Sequence, residues 1–112
     1  MGITVRIEGK RTRTENDDPP SMAYGSFNTL VDMLEREADD LGDVDMREPL
    51  LLLDSVDNHG RRRIPFEDCA PLARRISQLI DNWDDDDFYR VNARRLGIML
   101  LSVPEGGALI IT

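Results

Sequence analysis

Apolar and polar positions alternate at the start of the chain and give way to a continuous apolar run near its end. Ile3, Val5 and Ile7 are separated by polar residues, which places their side chains on one face of a short strand. Residues 108–112 form an apolar segment after a turn rich in proline and glycine. We predict that residues 3–7 and 108–112 are strands that pair in a small β element.

The clearest helical pattern lies between Ser26 and Gly42. Ser26 can cap a helix, and Gly42 is placed to end it. Apolar residues between them recur every three or four positions, which predicts one buried stripe. The stripe consists of Phe27, Leu30, Val31, Leu34, Ala38 and Leu41. The opposite face is acidic and includes Asp39 and Asp40.

Two further helices are predicted in the middle of the chain. Pro49 suits a first helical position, so we interpret the leucines of residues 50–53 as a short buried helix, although they also suit a buried strand. The next helix is predicted to begin near Asp68, because Pro71 then lies in its first turn, where the missing N–H costs no helical bond. Its predicted buried stripe is Phe66, Cys69, Leu72, Ala73, Ile76, Leu79, Ile80 and Trp83.

A fourth helix is predicted after the aspartates of residues 84–87. These residues precede the helix, where its dipole favours negative charge, and a solvated cap is their simplest interpretation. The predicted stripe of this helix is Phe88, Val91, Leu96, Met99 and Leu100. The whole pattern predicts a mostly α protein of the α+β class, with about four helices and a small terminal β element.

Composition restricts the class of protein. The 112 residues fit a single domain, in which the polar residues 10–22 form a loop that could be mobile. No apolar run approaches the ~20 residues of a membrane span. A formal net charge of −8 disfavours direct binding to nucleic acid or to a membrane surface. The single Cys69 and the absence of an export signal predict a cytoplasmic protein.

The segment after the leucines invites comparison with a calcium loop of the EF-hand type. If Gly60 takes the sixth position of the loop, Asp57 falls at the third, but the twelfth position, which needs Glu, holds Phe66. Three adjacent arginines would also repel the ion. We therefore favour a simple turn, and keep a degenerate divalent-cation site formed by Asp54, Asp57 and Glu67 as the alternative.

Catalytic chemistry has one candidate pair. His59 could serve as a base and Cys69 as a nucleophile, but Cys69 lies on a predicted buried stripe and His59 in a predicted exposed turn. One cysteine and one histidine also cannot form a zinc site of the usual kind. We therefore predict that the protein is not an enzyme, has no catalytic residues and uses no cofactor.

Charged clusters are the remaining candidates for a functional surface. Arg61, Arg62 and Arg63 either balance the acidic helix within the fold or bind a partner through bidentate contacts. Asp39 and Asp40 on the first helix, with Asp84, Asp85 and Asp86 later in the chain, are the acidic candidates for the same role.

The order of short motifs from residue 24 onwards carries a resemblance. The motifs are Tyr24-Gly25-Ser26-Phe27, the leucines of residues 50–53, Ser55 with Asp57-Asn58-His59-Gly60, Pro65 with Glu67-Asp68-Cys69, and Leu72-Ala73. This order resembles a family of small bacterial and phage proteins with no known activity. His59 replaces an Asp of the family pattern, and two extra residues follow Gly60. The resemblance implies a single helical domain in a bacterial or phage-host cytoplasm.

The charge pattern favours a protein that acts by binding another protein. An acidic surface steers association, while affinity depends on a few apolar anchors such as Trp83, Phe88 or Tyr89. We therefore expect a small acidic interaction module or modulator, such as a phage accessory factor or an immunity-type inhibitor. A homodimer through an apolar helix face stays open.

Overall fold

The computed structural model of the chain describes residues 2–9, 20–40, 50, 52–53 and 61–112. Within these residues three strands and three helices have defined ends, in a mixed α+β arrangement that agrees with the predicted class. In chain order they are β1 (Val5–Glu8), α1 (Tyr24–Asp40), β2 (Arg62–Pro65), α2 (Phe66–Leu79), α3 (Phe88–Leu101) and β3 (Ala108–Ile111).

The number of helices with defined ends is one fewer than predicted. Leu50, Leu52 and Leu53 have helical backbone, and the side chains of Leu50 and Leu53 are fully buried. Their neighbours on both sides lie outside the described residues, so a bounded helix is not defined there. Burial of these leucines agrees with the interpretation of this stretch as part of the core.

The strands form one antiparallel sheet in the order β1-β3-β2. The predicted pairing of the first and last strands is confirmed, with Val5 opposite Ile111. β2 was not predicted, because two arginines and a proline are poor indicators of a strand. Its register with β3, which places Ile64 opposite Leu109, is a long-range contact that a local pattern does not reveal.

The two faces of the sheet differ in character. Val5, Ile64, Leu109 and Ile111 share the face that belongs to the core. On the other face Ile110 lies between Arg6 and Arg63, and it is nevertheless buried. The aliphatic stems of the two arginines can cover its side chain while their charged ends stay in water.

α1 confirms the stripe predicted from its sequence. Phe27, Leu30, Val31, Leu34 and Ala38 are buried, while Leu41 and the predicted stop at Gly42 lie outside the described residues. The helix starts at Tyr24, two residues before the predicted cap at Ser26.

α2 starts at Phe66, earlier than the prediction near Asp68, because the chain passes directly from β2 into the helix. Pro71 therefore lies inside α2 and removes one helical bond to the carbonyl of Glu67. Glu67 is exposed, so water can bond to that carbonyl. Phe66, predicted to be buried, is 40% exposed.

α3 begins as the aspartate run predicts. Asp87 is its N-cap, and its Oδ1 accepts hydrogen bonds from the backbone N–H groups of Tyr89 at 2.8 Å and Arg90 at 3.1 Å. α2 and α3 pack along each other, α1 contacts α2, and β2 and β3 also contact α2. Among the described helices, none is both long and apolar enough to cross a membrane.

Candidate interaction groove

A groove of about 200 Å³ runs between α2 and α3. Because a short connection joins the two helices and they pack along each other, they form an antiparallel hairpin with the groove along its outer side. Ala73, Ile76 and Ile80 line it from α2, and Ala93 and Gly97 from α3. A Cβ added at Gly97 would meet no described atom within 4 Å, so the groove is open above this residue.

Large apolar side chains remain exposed at one end of this groove. Ile98 is 48% exposed and Leu101 is 67% exposed, and both line the groove from α3. Phe66 lies about two turns before Ala73 on the same face of α2, which extends the apolar character of that end. Exposed apolar side chains that occur together in this way are typical of an interaction site.

Two cations line the groove from α3: Arg90 at the end away from Leu101, and Arg94 one turn closer to the middle. Arg90 is the more buried of the two. The side chain of Arg90 is only 13% exposed, and its Nη1 forms an ion pair with the exposed carboxylate of Asp85. Its Nε is buried and has no hydrogen-bond partner among the described residues. Arg94 lines the same wall and is exposed.

The opposite end of the groove is acidic. Asp81 lines it just after α2 ends, and Asp84, Asp85 and Asp86 follow in the connection to α3. The last three are exposed, and we call them the acidic turn. Of these three predicted partner-binding residues, Asp85 is held at the end of the groove away from Leu101 by its ion pair with Arg90, and Asp84 and Asp86 adjoin it in the chain.

The structure separates the three adjacent arginines. Arg62 is 4% exposed and points into the fold, whereas Arg63 lies on the outer face of the sheet with its Nη2 3.7 Å from Oε1 of Glu8. Arg61 is exposed and has an interaction within the protein. The burial of Arg62 takes it out of the predicted partner surface, because alternate residues of a strand face opposite sides of the sheet.

Arg62 instead connects several parts of the fold through its guanidinium group. Its Nε donates to the carbonyl oxygen of Leu53, Nη1 to the Tyr24 hydroxyl at 3.3 Å, and Nη2 to Oδ1 of Asn28 at 3.3 Å. Its Cζ also lies 5.0 Å from the centre of the Phe27 ring and 5.5 Å from that of Tyr24. Hydrogen bonds and cation–π contacts thus stabilise this cation between α1, β2 and Leu53.

The other acidic candidates lie on α1. Asp39 and Asp40 are exposed at its C-terminal end, and Asp39 has an interaction within the protein. Asp32 and Arg36 form an exposed ion pair of 2.9 Å one turn apart. Such pairs contribute little to stability, so this face is solvated and charged.

The alternative metal site is only partly within the described residues. Glu67 is exposed in the first turn of α2, whereas Asp54 and Asp57 lie outside that part of the chain. Where side chains are described, no group of three or more His, Cys, Asp or Glu residues could hold a metal ion. The described residues therefore include only one of the three ligands that this hypothesis needs.

Cys69 is buried, and its Sγ donates to the carbonyl oxygens of Pro65 at 3.3 Å and Ile64 at 3.5 Å. Burial raises the pKa of the Cys69 thiol from 9.0 to about 11, and the carboxylates of Asp68 and Glu67 add to the rise against a backbone hydrogen bond at Leu109. The thiol is therefore protonated near neutral pH and poorly nucleophilic. His59, its predicted partner, lies outside the described residues.

Ile98 and Leu101 were not among the predicted site residues. The signal was present, because the apolar residues Leu96, Ile98, Met99, Leu100 and Leu101 are too many for one face of a helix. Of the predicted anchors, Phe88 is 50% exposed but does not line the groove, and Trp83 and Tyr89 pack partly buried against the core.

Comparisons with known proteins do not assign the groove a role. No protein-family model, no curated protein and no solved structure matches the chain. The resemblance to small bacterial and phage proteins therefore stays a prediction.

Proposed function

We propose that the protein is an interaction module that binds another protein through the groove between α2 and α3. The observation that carries the proposal is the exposure of Ile98 and Leu101 beside each other in that groove. α3 packs against the core through other apolar residues, so the core does not need the side chains of Ile98 and Leu101. Removing them from water on binding would contribute roughly 25 cal/mol for each Å² of apolar surface buried.

The surroundings of the groove suit recognition by a protein partner. Its apolar end is followed by Arg94 in the middle and, at the far end, by Arg90, Asp81 and the acidic turn. Apolar surface next to polar and charged residues is the usual composition of a protein–protein interface. The acidic composition and single cysteine suit a role in a bacterial or phage-host cytoplasm, without direct binding to nucleic acid.

Affinity capture with matched variants tests this proposal. The tagged protein, Leu101→Asp and Phe88→Asp would each be incubated with lysate of the native cells, and bound proteins would be quantified by mass spectrometry. We expect a near-stoichiometric partner with the wild type and with Phe88→Asp, since Phe88 is exposed on the same helix outside the groove. Leu101→Asp should lose that partner. Equal recovery with all three proteins would show that the groove is not the binding site.

A further inference from the structure

We infer that the groove, if it binds a protein as proposed above, takes an amphipathic helix whose cationic end lies over the acidic turn and whose apolar end lies over Ile98 and Leu101. The inference depends on how charge and apolar surface are distributed along the groove. One end carries exposed carboxylates, and the other carries exposed aliphatic side chains.

The dimensions of the groove fit a helix of modest length. From Arg90 to Leu101 the wall formed by α3 is about 16 Å long, at about 1.5 Å per helical residue. An occupant of about three turns would therefore span it. A groove between two antiparallel helices accepts a third helix by packing apolar residues spaced three and four apart.

Charge determines the polarity of the occupant. Asp81 lines one end of the groove, and there Arg90 pairs with Asp85, which Asp84 and Asp86 adjoin in the chain. The carboxylate of Asp85 is 90% exposed, so the ion pair leaves it accessible to a second cation. Lysines or arginines at one end of a partner helix would be attracted there, in addition to the general attraction exerted by a protein of net charge −8.

Arg94 sets a further condition on the middle of the occupant. It is exposed and lines the groove one turn from Arg90 and one turn from Ile98. Because it lies between the acidic turn and the apolar end, a neutral or acidic residue fits the middle of the partner helix better than another cation does. The cationic residues of the partner are thus confined to one end.

A second copy of this chain complements the groove less well. In a two-fold pair with the grooves antiparallel, the acidic turn of each copy would face the apolar end of the other. In a parallel arrangement the two acidic turns would face each other. Neither arrangement places an exposed groove-lining cation over the acidic turn, because Arg90 is largely buried and Arg94 lies in the middle of the groove. This favours a different protein.

Binding of two designed peptides tests the inference. Both are fluorescein-labelled helices with the same leucine stripe, and the first two turns carry lysines in one peptide and glutamates in the other. Fluorescence anisotropy with the full chain should show the lysine peptide binding about tenfold more tightly at low salt, with the preference shrinking at high salt because exposed charges are screened. Asp84→Asn combined with Asp86→Asn should remove most of that preference, whereas Asp39→Asn with Asp40→Asn should leave it unchanged.

The variants separate a failure of this inference from a failure of the proposed function. Leu101→Asp should weaken the lysine peptide about tenfold, and Phe88→Asp should not. Equal or tighter binding of the glutamate peptide, still lost in Leu101→Asp, would overturn the inferred polarity and keep the groove as a binding site. If Leu101→Asp left the affinity of the lysine peptide unchanged, or if neither peptide bound, the inference would be overturned. The capture experiment tests the proposed function separately. A dimer in sedimentation velocity that Leu101→Asp dissociates would assign the groove to a second copy and overturn the inference.

Discussion

Arg62 and Arg90 are both largely buried arginines, yet their surroundings differ. The guanidinium of Arg62 donates to three different residues and lies against two aromatic rings. Arg90 forms one ion pair with an exposed carboxylate, and its Nε has no hydrogen-bond partner among the described residues. The first arginine is a fixed part of the core, and the second borders an open groove.

The difference separates what holds the fold together from what is left for binding. Arg62 and the Leu53 carbonyl are buried and satisfy each other inside the protein, so either would be costly to leave without a partner. Along the α2–α3 groove, apolar side chains face water and polar groups are only partly satisfied. Changes near Arg62 should therefore reduce stability, and changes in the groove should reduce binding.

The largest expected effect is that of Arg62→Met. Removing the cation leaves the Leu53 carbonyl, the Tyr24 hydroxyl and the Asn28 amide without this donor, so we expect the free energy of unfolding to fall by about 3 kcal/mol. Urea denaturation followed by circular dichroism measures the loss. Arg63→Met, an exposed neighbour, is the matched control and should change stability by less than about 0.5 kcal/mol. A similar small effect at both positions would remove the distinction between the two regions.

The second prediction uses the pH dependence of the Cys69 region. Burial raises the pKa of this thiol to about 11. The stabilisation that comes from keeping the thiol protonated is therefore fully present below pH 9, and it is lost as the pH rises through 11. We expect the wild type to lose about 2 kcal/mol more than Cys69→Ala over that interval. Denaturation curves at pH 8, 9.5 and 11 compare the two proteins. If the free energy of unfolding fell equally with pH in both proteins, the thiol would ionise in the folded state as easily as in the unfolded state.

The third prediction concerns Asn92, which lies on the inner face of α3, opposite the groove. Its Oδ1 accepts a hydrogen bond from the Ser21 backbone N–H at 2.7 Å, and its Nδ2 donates to the Phe88 carbonyl at 2.9 Å. Asn92→Ala should lower the free energy of unfolding by about 1.5 kcal/mol, because both hydrogen bonds of this buried side chain are lost and a small cavity replaces it. Asn82→Ala, at an exposed asparagine before α3, should be nearly neutral in the same thermal or urea measurement.

The smallest stability effect is expected in the groove itself. Leu101→Ala should change the free energy of unfolding by no more than about 0.5 kcal/mol, since its side chain is already in water. Leu100→Ala, at the adjacent and fully packed position, should cost about 3 kcal/mol. If Leu101→Ala were as destabilising as Leu100→Ala, Leu101 would belong to the core and the groove would lose its main argument.

Sequence periodicity was sufficient for the features that depend on one element alone. The buried stripe of α1 and the cap at Asp87 follow from local spacing and local charge, and the structure confirms both. β2 was missed because a strand of two arginines, an isoleucine and a proline is defined by its pairing with β3. The inward direction of Arg62 depends on that same pairing.

The groove could be anticipated only in part. The excess of apolar residues in α3 is visible in the sequence, but which of them stay in water depends on how α2 lies against the helix. Phe66 was expected inside for the same reason, because periodicity assigns a face to each helix and does not say where the neighbouring element ends. The exposure of Ile98 and Leu101 is therefore a property of the packed pair.

The order of strands in the sheet has a consequence for synthesis on the ribosome. β3 lies between β1 and β2 and pairs with both, while neither of them pairs with the other. Since β3 follows both partners in the chain, β1 and β2 have no described strand to pair with until it has been translated and has left the exit tunnel. The helices can form earlier from local contacts, whereas pairing of distant strands is slow. A nascent chain stalled before β3 would therefore hold helices without a sheet, and would expose apolar surface to chaperones and proteases.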